Sequence, residues 1–171
     1  MIDQFESDTY RAIEEGISTN PVLHAFQMVA NQFGIGKDLI GPFFSSMKED
    51  LKKGSHDSAS YQEYIYGSAE VVGLMCLKVF CEGDEDLYRR LEPGAKSLGS
   101  AFQKVNFLRD MGSDLEERGR VYFPDVDFHR FSEEDKAAIE KDIQRDFDLA
   151  YLGRSEEHTS ELQSHHDLVC R

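Results

Sequence analysis

A chain of 171 residues, 40% hydrophobic and 30% charged, carries enough apolar material for one buried core and fits a single soluble domain. Its 33 acidic against 19 basic residues leave a net charge of −14, which argues against nucleic acid as a partner, because that function needs a basic surface. The longest apolar stretch, around Val71 to Phe80, is interrupted by Lys78 and is too short to cross a bilayer.

Asp3, Glu6 and Asp8 stand where a signal peptide would carry its basic segment. Cys76, Cys81 and Cys170 lack metal-ligand spacing and read as reduced thiols of a cytoplasmic protein.

In chain order the pattern predicts helix almost throughout. A first helix covers Asp3 to Glu15 and stops at Gly16. Asn20 caps a second, with Pro21 at the first helical position, where its missing N–H costs nothing. Val22, Phe26, Val29, Ala30 and Phe33 recur there at helical spacing, and Gly34 and Gly36 end it. A third helix is expected from Lys37 to Lys53, with Pro42 in its first turns, followed by a polar loop from Gly54 to Ser58. A long helix then runs from about Ser60 to Phe80, and another from about Gly94 to Glu117. Gly119 to Phe131 reads as irregular around Pro124. Ser132 with Asp135 forms a capping-box pattern that opens a last helix to about Tyr151. Alternating β-branched segments and hairpin turn signals are missing, so the expected fold class is all-α, a helical bundle.

The tail from Arg154 to Arg171 breaks this pattern. It resembles the translation of a common short-read sequencing adapter: Arg154 to Ser164 matches the stretch before the barcode and Asp167 to Arg171 the stretch after it, in one frame. The expectation is a non-native tail over 154–171 and a domain over 1–153. His158, His165, His166, Asp167 and Cys170, which suggest a metal site at first sight, then carry none.

The chemistry concentrates in Ala101–Asp114. On a helix, Gln103, Asn106, Asp110 and Asp114 fall on one stripe. Asp110 and Asp114 are separated by a rise of about 6 Å, so their carboxylates can meet one metal cluster. Oxygen donors without sulfur or imidazole suit Mg²⁺ rather than zinc. A plain solvated helix face would also place two Asp residues this way. Against that reading, the stripe carries Gln and Asn as well, and Arg109, Arg118 and Arg120 supply cations able to hold a diphosphate.

The run Gln103-x-x-Asn106-x-x-Arg109-Asp110-x-x-x-Asp114, followed by Arg120-x-Tyr122-x-Pro124, resembles the second aspartate-rich signature of the phytoene/squalene synthase family. Upstream, Tyr64-Ile-Tyr-Gly-Ser-Ala-Glu-Val-Val-Gly73 is similar to the family's Tyr-x-Tyr-x-x-Ala-Gly-x-Val-Gly signature. Ser46-Met-Lys-Glu-Asp-Leu51 resembles a shorter Gly-Met-x-x-Asp-Leu element. The chain departs from the family at Glu70 and at Ser46, each standing where Gly is usual. The family's first Asp-x-x-x-Asp motif has no counterpart, since Asp3 and Asp8 lack the spacing. It is expected before Met1, with further helices expected beyond the domain.

The resemblance implies an isoprenoid-synthase-type helical bundle, incomplete here, that condenses two prenyl diphosphates head to head. Mg²⁺ assists departure of diphosphate. It implies Asp110, Asp114 and Asn106 as metal ligands, and Gln103, Asn106, Arg109, Arg118, Arg120 and Tyr122 as substrate contacts. Tyr64, Tyr66 and Arg109 are its implied catalytic groups; for the tyrosines, plain helix packing is an equal reading. Gly67, Ala69 and Gly73 permit close approach of a helix or a prenyl tail. Phe102, Phe107, Leu74 and Met75 are either cavity lining or core. The Tyr-Ile-Tyr-Gly form resembles the bacterial carotenoid branch, which converts geranylgeranyl diphosphate to phytoene. A squalene- or dehydrosqualene-type synthase using farnesyl diphosphate, a non-catalytic relative, and an inactive fragment are the alternatives. The expected location is the cytoplasm, from the thiols, with peripheral membrane association through the lipid substrate or product that the resemblance implies as an open expectation.

Overall fold

The computed structural model describes the backbone of residues 1–51, 58–118, 122–124, 126 and 130–169, and the side chains of 1–51, 59–112, 122–124, 126 and 130–153. Every regular element among them is helical. Capping chemistry sets the first two. α1 (Ile2–Glu15) ends at Gly16, whose φ of 69° is the left-handed conformation glycine takes freely. α2 (Pro21–Phe33) begins where the Asn20 side-chain oxygen accepts from the Val22 and Leu23 amides at 3.0 and 3.5 Å.

α3 (Lys37–Glu49) is shorter than its pattern suggests, and Pro42 lies within it. Its end is tied to α1 by Lys48, whose Nζ stands 2.6 Å from Asp3 and 2.7 Å from Glu6. Part of the expected polar loop, Gly54 to Asp57, lies outside the described residues, and Ser58 already belongs to α4.

The predicted long helix over 60–80 is present but changes pitch inside. α4 (Ser58–Ile65) passes into a π-helical segment, Tyr66–Glu70, and then α5 (Val71–Phe80). The Val71 amide donates to the Tyr66 carbonyl, the i→i+5 bond of a π turn. Gly67 sits inside that segment against α3. A Cβ there would lie 2.4 Å from the Pro42 carbonyl oxygen and 2.2 Å from Ser46 Oγ, so α3 can approach only a glycine.

α6 (Glu85–Arg118) starts about nine residues before the expected Gly94 and runs straight through Pro93. Asp84 opens it, with Oδ1 accepting from the Asp86 and Leu87 amides at 3.1 and 2.9 Å. Pro93 removes one backbone donor, a cost of about 3 kcal/mol in a helix interior. Packing against α5 on one side and α7 on the other outweighs it. α7 (Glu133–Val169) begins at the expected capping box: Asp135 N donates to Ser132 Oγ at 3.1 Å and Ser132 N to Asp135 Oδ2 at 2.9 Å. It passes Tyr151 without a break, since residues 154–169 contain neither Gly nor Pro.

Two apolar clusters flank the central 58–80 helix. One joins α2, α3 and α5 through Ala30, Ile35, Leu39, Ile40, Phe44, Val71 and Leu74. The other joins α4, α6 and α7 through Tyr61, Tyr64, Ile65, Phe107, Ile139 and Ile143, with Tyr122 and Phe123 closing it.

Candidate functional site

α6 carries the polar stripe on a face that continues an apolar one. Gln103 is half-buried, Asn106 exposed, and Asp110 partly exposed. Arg109 grips Asp110 through both oxygens, Nε to Oδ1 at 2.7 Å and Nη2 to Oδ2 at 2.6 Å. That hydrogen bond, opposed by desolvation, holds the Asp110 carboxyl below the ordinary carboxylate range. The α6 backbone continues helically past Asp114 to Arg118, which puts Asp114 one turn beyond Asp110 on the same side. The side chains of Asp114 and Arg118, and all of Arg120, lie outside the described residues.

The two tyrosines go to different sides. Tyr64 is buried, with its hydroxyl donating to Asp50 Oδ1 at 2.7 Å and its ring 5.9 Å from Phe107. It therefore connects the end of α3 to the middle of α6. Tyr66 packs, half-buried, against the α2–α3–α5 cluster. Tyr122 is buried and stacks on Phe107 at 4.1 Å with the rings 8° from parallel.

Between the 68–80 run and α6 lies an open apolar groove of about 490 Å³, walled by Val72, Cys76, Phe80, Leu98 and Phe102. Two glycines let its walls meet. A Cβ at Gly99 would lie 2.8 Å from the Ala69 carbonyl oxygen, and one at Gly73 3.0 Å from that of Ala95. Of the residues weighed as lining or core, Phe102 faces the groove, Phe107 and Leu74 are core, and Met75 packs on the core. Among the described residues, Ser68 Oγ at the groove wall is buried without a hydrogen-bond partner.

A family model described as squalene/phytoene synthase matches residues 1–165. The chain belongs to the squalene/phytoene synthase family. It is similar to the 4,4′-diapophytoene synthase of Staphylococcus haemolyticus, 34% identical over 49% of this chain and 27% of that one. It is also similar to the farnesyl diphosphate phosphatase YisP of Bacillus subtilis, 31% identical over 57% of this chain and 34% of that one. The chloroplastic phytoene synthase 3 of Zea mays is 38% identical over 50% of this chain and 21% of its own. The matched stretches thus span between 21% and 34% of those relatives' length. No solved structure matches the chain.

Within this squalene/phytoene synthase chain, the metal question turns on donor chemistry. Among the described residues no three His, Cys, Asp or Glu side chains converge. Asp110 and Asn106 nevertheless offer oxygen on one exposed face, the donor type Mg²⁺ takes while keeping waters and phosphate. Asn106, Asp110 and, from its backbone position, Asp114 are the residues that would hold it.

Asp50, the aspartate of the Ser46–Leu51 element, is a partner that orients Tyr64. One further neighbour is not legible in the motifs. Lys104 is buried inside the signature itself, with Nζ 2.5 Å from Asp142 and 2.7 Å from Asp146. Asp142-x-x-x-Asp146 at helical spacing is the one sequence mark that could have drawn attention to it. At the family's glycine position, the half-buried Glu70 has its carboxyl pushed up, mainly by burial.

Proposed function

We propose that this chain forms part of a head-to-head prenyl synthase that joins two allylic prenyl diphosphates, with geranylgeranyl diphosphate to phytoene as the preferred reaction. The supporting observation is the layout of one face of α6. Leu98, Gly99 and Phe102 line the apolar groove. Asn106 and the Arg109–Asp110 pair follow along the same helix, with Asp110 about 12 Å beyond Phe102. An amphiphile with a hydrocarbon tail and an anionic head fits that sequence of surfaces.

In this reading Asp110, Asp114 and Asn106 would hold Mg²⁺, which when bound would supply positive charge beside the diphosphate. Arg109, Arg118 and Arg120 bind phosphate oxygens, and Gln103 and Tyr122 complete the head-group contacts. Tyr64 and Tyr66 lie on opposite sides of the 58–80 helix, so at most one of them turns its ring face to cationic carbon. Domain 1–153 supplies this half of the site, and 154–171 contributes nothing to it. No described helix is long and apolar enough to cross a membrane; contact with a bilayer is proposed through the lipid substrate or product alone.

The test is product analysis. The complete reading frame, incubated with Mg²⁺ and radiolabelled geranylgeranyl or farnesyl diphosphate, is expected to give a C40 or C30 hydrocarbon. The 171-residue chain alone, carrying one acidic motif, is expected to give none. Release of a free prenol without condensation would replace the synthase reading with hydrolysis, the reaction named in the Bacillus subtilis relative. Hydrocarbon from the 171 residues would remove the need for a second acidic motif.

A further inference from the structure

The α6–α7 interface contains a polar cluster at a depth where apolar packing is the rule. Lys104 is 4% exposed and Asp146 7%. Lys104 Nζ donates to Asp142 Oδ2 at 2.5 Å and to Asp146 Oδ2 at 2.7 Å, and Ser100 Oγ donates to Asp146 Oδ2 at 2.7 Å. Asp142 also pairs with Arg145 on its solvent side. Ser100 and Lys104 are one turn apart on α6, and Asp142 and Asp146 are one turn apart on α7. The result is a two-by-two lock between helices.

Buried ion pairs contribute little net stability, because desolvation cancels much of the attraction; their best-supported use is to select one register. Gly94 meets Ala150 and Gly153 closely at one end of this interface, but the aromatic contacts nearer the lock select register less strictly. Phe102 meets Phe147 edge to face at 5.7 Å, and Phe107 packs with Ile139 and Ile143, contacts that slide at small cost. A slip of one turn, about 5.4 Å, would carry Asp146 away from both Ser100 and Lys104 and leave a buried charge unmatched.

We infer that Lys104 is a positioning residue: its lock onto Asp142 and Asp146 fixes the register of α6, and with it the place where Asn106, Asp110 and Asp114 are presented. The ligand side of this inference rests on the proposed function; the register side does not. Lys104 reaches no ligand itself. It acts through a rigid helix on which Asn106 and Asp110 follow at about 3 and 9 Å of rise. The other charged groups near the lock are Glu70 and Lys96 from the groove side, and the Tyr61 phenol from α4, which Asp142 and Asp146 help to keep protonated.

The test uses the 171-residue chain with Lys104→Arg, Lys104→Met, and the triple variant Lys104→Met/Asp142→Asn/Asp146→Leu. Lys104→Met strands the buried Asp146 carboxylate, while Asp142 keeps Arg145, and is expected to lower the Tm; the triple variant removes that charge. Spin labels at Arg90→Cys and Gln144→Cys, with the native cysteines replaced by serine, report register. Electron paramagnetic resonance of free Mn²⁺ in the presence of inorganic pyrophosphate reports binding. The triple variant is expected to melt at or above the parent temperature. Its label distance should broaden or shift by about one turn, and Mn²⁺–pyrophosphate affinity should fall ~10-fold, as for other residues that orient metal ligands. Lys104→Arg is expected to stay near the parent in both. A triple variant with the parent's distance and affinity, or a shifted distance with unchanged affinity, overturns the inference, and so does one that fails to fold. If the parent chain binds no Mn²⁺–pyrophosphate, the ligand side of the inference is overturned, product analysis still decides the proposed function, and the label distance alone decides the register.

Discussion

Asp110 and Glu70 are carboxylates pushed in opposite directions, and the two directions have different consequences. Asp110 is held below the ordinary carboxylate range by the Arg109 fork on an exposed face, so its charge costs the fold little, and a cation there would share its oxygens with the guanidinium. Asp110→Asn is expected to leave stability within about 0.5 kcal/mol, as exposed substitutions do, while lowering Mg²⁺-dependent turnover of the complete enzyme by about 10²-fold or more. A parallel measurement of Tm and kcat separates the two effects. Glu70 is different: burial raises its pKa, Asp146 adds to the rise, and Lys96 and Lys104 oppose it. The folded state then holds the proton more tightly than the unfolded chain. Stability on this account is greatest in acid and is lost as the pH rises from the ordinary Glu value through the folded one. Glu70→Gln, which cannot ionise, is expected to raise the Tm by about 2 °C near pH 8. The gain should vanish near pH 4, the ordinary carboxylate range. Thermal melts of both proteins across that span check the sign, and a gain that grew on acidification would refute it.

Helix by helix, what the amino-acid pattern reveals depends on whether the cause is local. The Asn20–Pro21 start and the Ser132–Asp135 box are made by residues within a turn of each other, and both are legible directly. The start of α6 is also local, in Asp84, but Pro93-Gly94 looks like a stop and hides it; only the packing of α5 and α7 along both sides shows why the helix continues. The Gln103–Asn106–Asp110 stripe can be read from helical spacing alone. Its lock cannot, because Lys104 meets partners 38 and 42 residues away. The π-helical segment is likewise illegible, since Tyr66–Glu70 carries no local mark of an i→i+5 bond. Gly67 shows how tightly that segment is held. In Gly67→Ala the new methyl would need the space of the Pro42 carbonyl oxygen, 2.4 Å from the ideal Cβ position. Ser46 Oγ can rotate aside, whereas the α3 backbone cannot. Overpacking of this kind costs about 1–3 kcal/mol. Urea unfolding is expected to show that loss, whereas Gly112→Ala, where nothing among the described residues lies within 4 Å, should be neutral or slightly stabilising.

Across the whole molecule, charge and apolar surface set the terms on which a ligand binds. A net charge of −14 repels a diphosphate at long range, beyond a Debye length of about 10 Å in 0.1 M salt only weakly. Affinity therefore has to come from Arg109 with its neighbours, from a cation on the acidic stripe, and from the groove. The groove is bare: Phe80 is 79% and Phe102 57% exposed, which leaves apolar surface for a hydrocarbon tail to cover, and aggregation as the outcome when nothing covers it. A non-hydrolysable farnesyl thiodiphosphate with Mg²⁺ should raise the Tm of the 171-residue chain. At a hundred times its Kd the stabilisation is about 2.7 kcal/mol, or several degrees for a chain of this size. Inorganic pyrophosphate with Mg²⁺ should give a smaller shift, because it covers no groove, and farnesol a smaller one, because it meets no arginine. The geranylgeranyl analogue decides between the two chain lengths. Each further methylene that reaches an apolar wall contributes about 0.8 kcal/mol, so the five carbons of a fourth isoprene unit seated toward Phe80 tighten binding by up to about 10³-fold. Equal shifts for the two analogues would mean that the last unit hangs in water, and the preference would pass to the shorter substrate.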